Sequence, residues 1–419
     1  FTSVTVNRDS ERKPISSANR TNVAKIYDYY GASGKIDKID KFIFNEKLLL
    51  IGEDGANLVT RSKPIAFFAE GQYWVNNHAH CIDSTDKLIL EYLCLYINAI
   101  SLEKYVTGSA QPKMTQDNMN SILIALPPYE EQKRLEFQVN HILKTVSTIE
   151  NEKEDIVNYI ISAKSKILDL AIRGKLVPQD LNDEPASVLL ERIRAEKEEL
   201  IKQGKIKRDK KESIIFKGED NSYYEKVGAE IRCIDSEIPF EIPDGWMYER
   251  LGNICSIARG GSPRPIENYL TDDENGLNWI KIGDTEQGGK YIYSTKEKIR
   301  PEGLSKTRYV CSGDFLLTNS MSFGRPYILR TNGCIHDGWL VIGGIEIAFH
   351  QDYLYYMLSS SIMYNALSSL AVGSTVKNLK SDSVKSLLVP IPPLAEQACI
   401  SRQIENYFAT MLPIERSLS

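Results

Sequence analysis

LPPY at residues 126–129 and IPPL at 391–394 are the stretches whose spacing comes nearest to a catalytic motif. In an Asp/Asn-Pro-Pro-Tyr tetrapeptide, the first side chain accepts a hydrogen bond from the amino group of an extruded adenine while the tyrosine ring stacks on the base. Leu126 and Ile391 accept nothing, and Leu394 supplies no ring. RGGSPRP at 259–265 is glycine-rich, but its prolines remove backbone donors and make it a poor phosphate cradle. The sequence holds neither a glycine-rich strand-to-helix fingerprint for S-adenosylmethionine nor a G-x-x-x-x-G-K-(S/T) loop for ATP. His78 and His80 would face one way on a strand, yet no cysteine or carboxylate cluster adjoins them, which favours structural histidines over zinc ligands. The seven cysteines are scattered without a C-x-x-C pair and read as small buried hydrophobes rather than a disulfide framework.

With 419 residues, 42% of them hydrophobic and 26% charged, the chain is long enough for two or three domains. No apolar run reaches the roughly 18 residues that cross a bilayer, and FTSVTVNRDSERK lacks the apolar centre of a signal peptide. A cytoplasmic protein is expected, and the start at Phe1 suggests that a short N-terminal piece is missing. The net charge of -5 runs against the basic surplus usual in nucleic-acid binders. Residues 1–126 hold 14 basic and 14 acidic side chains, and 237–392 hold 15 and 17, so a DNA-binding face would need its positive groups gathered on one side.

Stepping from residues to elements, the chain repeats itself. GSAQPKMTQDNMNSILIALPPYEEQ (108–132) aligns without a gap to GSTVKNLKSDSVKSLLVPIPPLAEQ (373–397), with nine identities. Upstream, KLLLIGEDG…SKPIAFFAEGQYWVNNHAH is a weaker echo of GDFLLTNSMSFGRPYILRTNGCIHDGW. The period is far too long for a solenoid and indicates tandem duplication of a domain plus a helix. Each copy mixes short β-rich runs, such as KFIFNEKLLLIG and WLVIGGIEIAF, with turn signals such as YYGASG and EQGGK, which predicts α/β (α+β) globular domains.

After each Pro-Pro pair the periodicity changes to that of a helix, with Glu130, Glu131 and Glu396 placed to favour its N-terminus. Leu135, Val139, Ile142, Val146, Ile149, Ile156, Ile160, Ala163, Ile167 and Leu170 follow alternating steps of four and three, with Lys153 filling the one missing position. Ile400, Ile404, Tyr407, Met411, Ile414 and Leu418 follow the same steps, with Pro413 expected to kink the end. So narrow a stripe suits a partner helix, and the two repeat helices are expected to pair as an antiparallel coiled coil; the alternative is that each lies on its own domain. Between the copies, Pro185 opens a further helix lined by Leu189, Leu190, Ile193, Leu200 and Ile201, Gly204 closes it, and Lys205–Lys211 holds five basic residues in seven.

Three phrases carry a family resemblance: the Gly-Ser loop followed by (L/I)PP-x-x-EQ and a long helix, the linker GKLVPQDLNDEPASVLLERIRAEKEELIKQGKIK, and IPDGWMYERLGNICSIARGGSPRP. Together they resemble the specificity subunit of type I restriction-modification systems over nearly the whole chain. The resemblance implies two target recognition domains, each reading one half of a split double-stranded DNA site, on conserved helices that pair antiparallel and dock two modification (methyltransferase) subunits. Restriction subunits would join the larger assembly, and S-adenosylmethionine, ATP and magnesium would be bound by those partners, with no cofactor in this chain. The expected division is 1–126 (first recognition domain), 127–236 (spacer helix, linker and second helix), 237–392 (second recognition domain) and 393–419 (C-terminal spacer helix). Two departures stand out: no counterpart of Trp246–Gly252 precedes Phe1, and the last helix is shorter than the first, so both ends are expected to be truncated.

Base reading requires Arg or Lys for guanine and Asn or Gln for adenine, on loops or strand ends. In the first copy the candidates are Tyr30, Ser33, Asn57, Arg61, Asn76, Asn77, His78, Ser109 and Lys113. In the second they are Arg259, Ser262, Arg264, Lys281, Thr285, Asn319, Ser320, Arg325, His336, Ser374, Lys377 and Asn378. Each has a structural rival: YYGASG is first a tight turn, Asn76 and Asn77 suit backbone capping, and Arg325 suits a carboxylate partner. The reading that results is a non-catalytic DNA-specificity subunit. Its rivals are a self-contained DNA methyltransferase and a coiled-coil adaptor that reads no DNA.

Overall fold

A computed structural model describes the chain apart from residues 109, 207, 209–211, 287, 321–322, 372–377 and 419. Two units result, Phe1–Glu152 and Lys153–Ser419. In the first, short apolar runs give β1 (Val6–Asn7), β2 (Tyr27–Gly31), β3 (Gly34–Ile39), β4 (Phe44–Asn45), β5 (Leu48–Gly52), β6 (Ala66–Ala69), β7 (Gln72–Val75) and β8 (Ala79–Asp83). They make two four-stranded sheets, ordered β1-β8-β5-β6 and β3-β2-β7-β4. LLLIG of β5 is buried throughout, and its alternation feeds two cores. Leu49 and Ile51 meet Leu90, Leu93 and Ile97 of helix α1 (Lys87–Ala99), while Leu48 and Leu50 meet Tyr73 and Val75. The Asp86 carboxylate caps α1 by accepting from the Leu88 amide at 3.0 Å.

Helix α2 (Tyr129–Ile172) runs on from the first unit into the second, followed by α3 (Ala186–Lys202). A small antiparallel sheet, β9 (Ser213–Lys217), β10 (Tyr223–Val227) and β11 (Glu230–Cys233), precedes β12 (Met247–Arg250). Then come β13 (Ser256–Arg259), β14 (Leu270–Thr271), β15 (Leu277–Ile280), β16 (Tyr291–Ile292), β17 (Glu297–Ile299), β18 (Arg308–Val310), β19 (Phe315–Thr318), β20 (Pro326–Leu329), β21 (Gly333–Ile335) and β22 (Trp339–Gly343). These ten form two sheets, β13-β22-β19-β20-β16 and β14-β17-β15-β21-β18. Helices α4 (Gln351–Ser359) and α5 (Ser361–Leu370), strand β23 (Leu388–Ile391) on β12, and helix α6 (Leu394–Leu418) complete the unit.

The duplication extends to topology. The order β1-β8-β5-β6 reappears as β13-β22-β19-β20, every pairing antiparallel. The ladder of Leu49–Gly52 against Ile82–Ala79 matches that of Phe315–Thr318 against Ile342–Trp339. In the other sheet of each unit β7 lies parallel to β2, as β21 does to β15.

The Pro-Pro-x-x-Glu-Gln phrase acts through its glutamine. Gln132 Nε2 donates to the Pro127 carbonyl at 2.8 Å, and Gln397 Nε2 to the Pro392 carbonyl at 3.1 Å, closing the same turn at each helix start. Gln397 also donates to the Ala348 carbonyl at 3.0 Å and accepts from the His350 amide at 2.8 Å. The Glu396 carboxylate is buried between Trp246 Nε1 and Gln179 Nε2, each at 2.8 Å, whereas Glu131 is exposed.

The apolar stripe of α2 divides in three. Leu135 and Val139 line a cleft with Tyr92, Leu95 and Tyr96 of α1. Ile142, Val146, Ile149 and Ile156 are exposed. Ile160 is buried, and Ile167 and Leu170 are partly buried. On α6, Ile400 and Ile404 are fully buried in the second unit's main core, which Leu168, Ala171 and Ile172 of α2 join; Tyr407 and Ile414 are exposed and Met411 is half-buried. Lys164 Nζ meets Glu415 at 2.6 Å and lies over the Phe408 ring, while Gln179, beyond the end of α2, reaches Glu396 near the start of α6. Those contacts run antiparallel and involve the last turns of α2, while Ile400 and Ile404 pack into the globular core. Helix α6 continues through Pro413. The cysteines also depart from expectation: Cys81, Cys255 and Cys334 are buried, but Cys233, Cys311 and Cys399 are exposed.

Candidate nucleic-acid interface

In the second unit, five sequence-selected residues converge on one that the sequence reading passed over, Asp337, in the turn between β21 and β22. Its carbonyl accepts from Arg259 Nε at 2.9 Å and from Asn319 Nδ2 at 2.8 Å. Its carboxylate accepts from Ser262 Oγ at 2.9 Å, lies 3.0 Å from His336 Nε2, and holds Arg264 Nη2 at 3.4 Å. His336 Nδ1 accepts from the Gly338 amide at 2.9 Å, which places the ring proton on Nε2, facing Asp337. Burial lowers the His336 pKa, and Lys281, Arg264 and Arg259 push the same way against the opposing Asp337. Burial alone would raise the Asp337 pKa, but the Ser262 hydrogen bond and the charges of His336, Arg259 and Arg264 hold it below the usual carboxylate value. A cleft of about 690 Å³ beside this turn is lined by Ser262, Arg264, Trp279, Lys281, Glu297 and His336.

The first unit builds the same turn from different residues. Asn76 Oδ1 accepts from the His78 amide at 2.8 Å, the i to i+2 bond that His336 makes to Gly338. Arg12 donates to the Asn77 carbonyl at 3.4 Å, as Arg259 does to that of Asp337. The Glu53 amide donates to the His78 carbonyl and the Asn319 amide to the Gly338 carbonyl, both at 2.9 Å. The Met114 amide then reaches Glu53 at 2.7 Å, and the Leu379 amide reaches Asn319 at 2.8 Å. Strand end, turn and the segment just before the hinge helix therefore meet at one place in each unit.

Several candidates are committed to internal partners there. Arg61 donates to the carbonyls of Ile97, Asn98 and Ile100, closing the C-terminus of α1. The Asn57 side chain holds the backbone of Lys63, Asn76 is buried, and Asn319 is fully buried. Lys113 Nζ lies 3.1 Å from Glu53, which also takes Arg12 at 2.6 Å. His78 pairs with Asp54 at 2.7 Å, and buried His80 bridges Asp9 and the Met114 carbonyl. Tyr30 packs edge-on against Tyr73 and stacks on Phe67, Ser33 is half-buried in the β2–β3 turn, and Asn77 is exposed. Lys281 pairs with Glu297, Thr285 Oγ1 donates to the Ile282 carbonyl at 2.8 Å, Arg325 is exposed, and Ser320 and Asn378 are half-buried. Ser109, Ser374 and Lys377 lie outside the described residues. Asp337, Glu53, Asp54 and Arg12 were missed because a search for base donors discards acids and strand-flanking arginines; the signal available was a carboxylate beside the turn in each copy, in EDG of the first and in HDG of the second. Among the described residues no group of three or more His, Cys, Asp or Glu is placed to hold a metal ion, and no helix is long and apolar enough to cross a membrane.

A profile described as the type I restriction modification DNA specificity domain matches residues 6–167 and again 243–418, enclosing both turns and both hinges. The chain belongs to that family. It is 32% identical over 266 residues to the type I restriction enzyme EcoEI specificity subunit of Escherichia coli, covering 60% of this chain and 39% of that protein. Against the EcoAI specificity subunit of Escherichia coli, identity is 46% over 133 residues, covering 31% of this chain and 18% of that protein, so the chain spans well under half of either relative. A putative type I specificity subunit of Haemophilus influenzae is 24% identical, covering 95% of this chain and 84% of its own length. Among solved structures, a chain from a study of assembly and conformational transition in the type I R-M system aligns with TM-score 0.54 and 15% identity, covering 99% of this chain and 92% of that one. The specificity-domain fold, two tandem α+β domains with one long and one C-terminal helix, is thereby shared.

Proposed function

We propose that this specificity-family chain is a non-catalytic, cytoplasmic reader of a bipartite double-stranded DNA sequence, one half-site per domain. It would act with modification subunits, two per chain, and with restriction subunits, and these partners between them would hold S-adenosylmethionine, ATP and magnesium. The observation that carries this reading is the matched pair of turns, Asn76–His78 and His336–Gly338. They share backbone hydrogen bonds and carry different side chains, as two readers of different half-sites require. The exposed stripe Ile142, Val146, Ile149 and Ile156 supports a role for α2 in docking a partner helix. The test is to co-express the chain with its modification subunits and map modified bases in host DNA with and without this gene. A two-part motif that disappears with the gene is expected. An assembled complex that neither binds duplex DNA nor changes the pattern overturns the reading.

A further inference from the structure

We propose that the half-site read by the second unit contains a guanine, and that Arg264 reads it, while the first unit reads its half-site without arginine. This rests on the DNA-reading function above. All four arginines of residues 1–126 are committed internally. Arg8 lies 3.1 Å from Glu46 and 3.4 Å from Asp83, Arg12 2.6 Å from Glu53, and Arg20 2.8 Å from Asp37, while Arg61 donates to main-chain carbonyls. The first unit's turn instead exposes Asn77 beside the His78–Asp54 pair.

Arg264 is the opposite case. Its side chain is 80% exposed and is held only at 3.4 Å by Asp337, so the fork is oriented toward the turn yet free to donate outward. Its backbone is stiff. Pro263 and Pro265 flank it and restrict φ, and a Cβ on Gly260 or Gly261 would fall on the carbonyls of His336 and Lys306, so the strand-to-loop junction is closely packed. A guanidinium presented with little remaining backbone freedom suits the bidentate contact to guanine O6 and N7, which its rigid planar fork holds better than the flexible point charge of a lysine does.

The full chain, assembled with its modification subunits, tests this by motif mapping and by binding to synthetic duplexes. The wild type should show an invariant guanine in one half-site. Arg264→Ala should relax that position alone, Arg264→Lys should not restore it, and the other half-site should stay unchanged. In binding, replacing that guanine by 7-deazaguanine, which lacks N7, should weaken the wild type about tenfold or more and leave Arg264→Ala unaffected. A motif with no guanine in either half, or an Arg264→Ala complex that keeps every fixed base and weakens all duplexes equally with a shallower salt dependence, overturns the proposal by making Arg264 a phosphate contact or none. Thermal melting confirms that the variant is folded. A folded complex that binds no duplex refutes the DNA-reading function itself.

Discussion

At the scale of single residues, the turn before β22 shows how one carboxylate organises several donors. Asp337 fixes Ser262 and His336 through its side chain and Arg259 and Asn319 through its carbonyl, and orients the exposed Arg264 at 3.4 Å. The unfolded chain binds a proton at His336 more readily than the folded one, because burial and three nearby cations lower its pKa from 6.5. Stability from this residue is therefore complete above pH 6.5 and is lost as pH falls through the lower folded value. Asp337 acts in the same direction, but only at pH values below its ordinary 3.8. His336→Asn keeps an oxygen for the Gly338 amide, as Asn76 provides for His78, and removes the titration. The second unit's melting temperature should then fall less steeply below pH 6.5 than in the wild type; parallel curves would assign the acid loss to another group.

At the scale of elements, the two hinge glutamines offer a graded comparison. Gln132 is tied to one carbonyl by its side-chain amide, whereas Gln397 is fully buried and serves the Pro392 and Ala348 carbonyls and the His350 amide. Loss of buried partners costs roughly 1–3 kcal/mol per group left unpaired, so Gln397→Ala should destabilise its unit by more than Gln132→Ala does. Denaturant titration of each variant, followed by local probes, decides this, and equal losses would reduce the glutamine to a spectator. The middle of α2 makes the contrary case. Val146 and Ile149 are exposed, so Val146→Lys with Ile149→Lys should change stability by no more than about 0.5 kcal/mol per site while preventing assembly with modification subunits. Normal co-purification of the double variant would remove α2 as the docking face.

At the scale of the whole molecule, what the sequence disclosed follows from what burial imposes on it. The 25-residue alignment was legible because the hinge, the short helix before it (Gln116–Asn120 and Ser381–Lys385) and the core positions Met114 and Leu379 must recur wherever the same sheets recur. The site was legible only as a set of neighbourhoods. Arg61, Asn57 and Asn76 have the right chemistry for bases, but side-chain direction decides their use, and in the fold Asn57 and Asn76 bond within their own turns while Arg61 reaches the end of α1. Long heptad spacing was equally visible, yet spacing does not say which neighbour covers it: Ile404 goes to a globular core and Ile149 to solvent. Whether the length of α2 sets the gap between the two half-sites can be tested on that exposed stretch. Deleting 142–155 removes two heptads, close to four helical turns, so the apolar stripe stays in phase while the helix shortens by roughly 21 Å. Both half-sites should remain as they are, because every residue of the two turns is retained, and the permitted gap between them should shrink. If the mapped motif keeps its original gap after the deletion, the helix does not set the spacing, and the distance must be measured by the partner subunits.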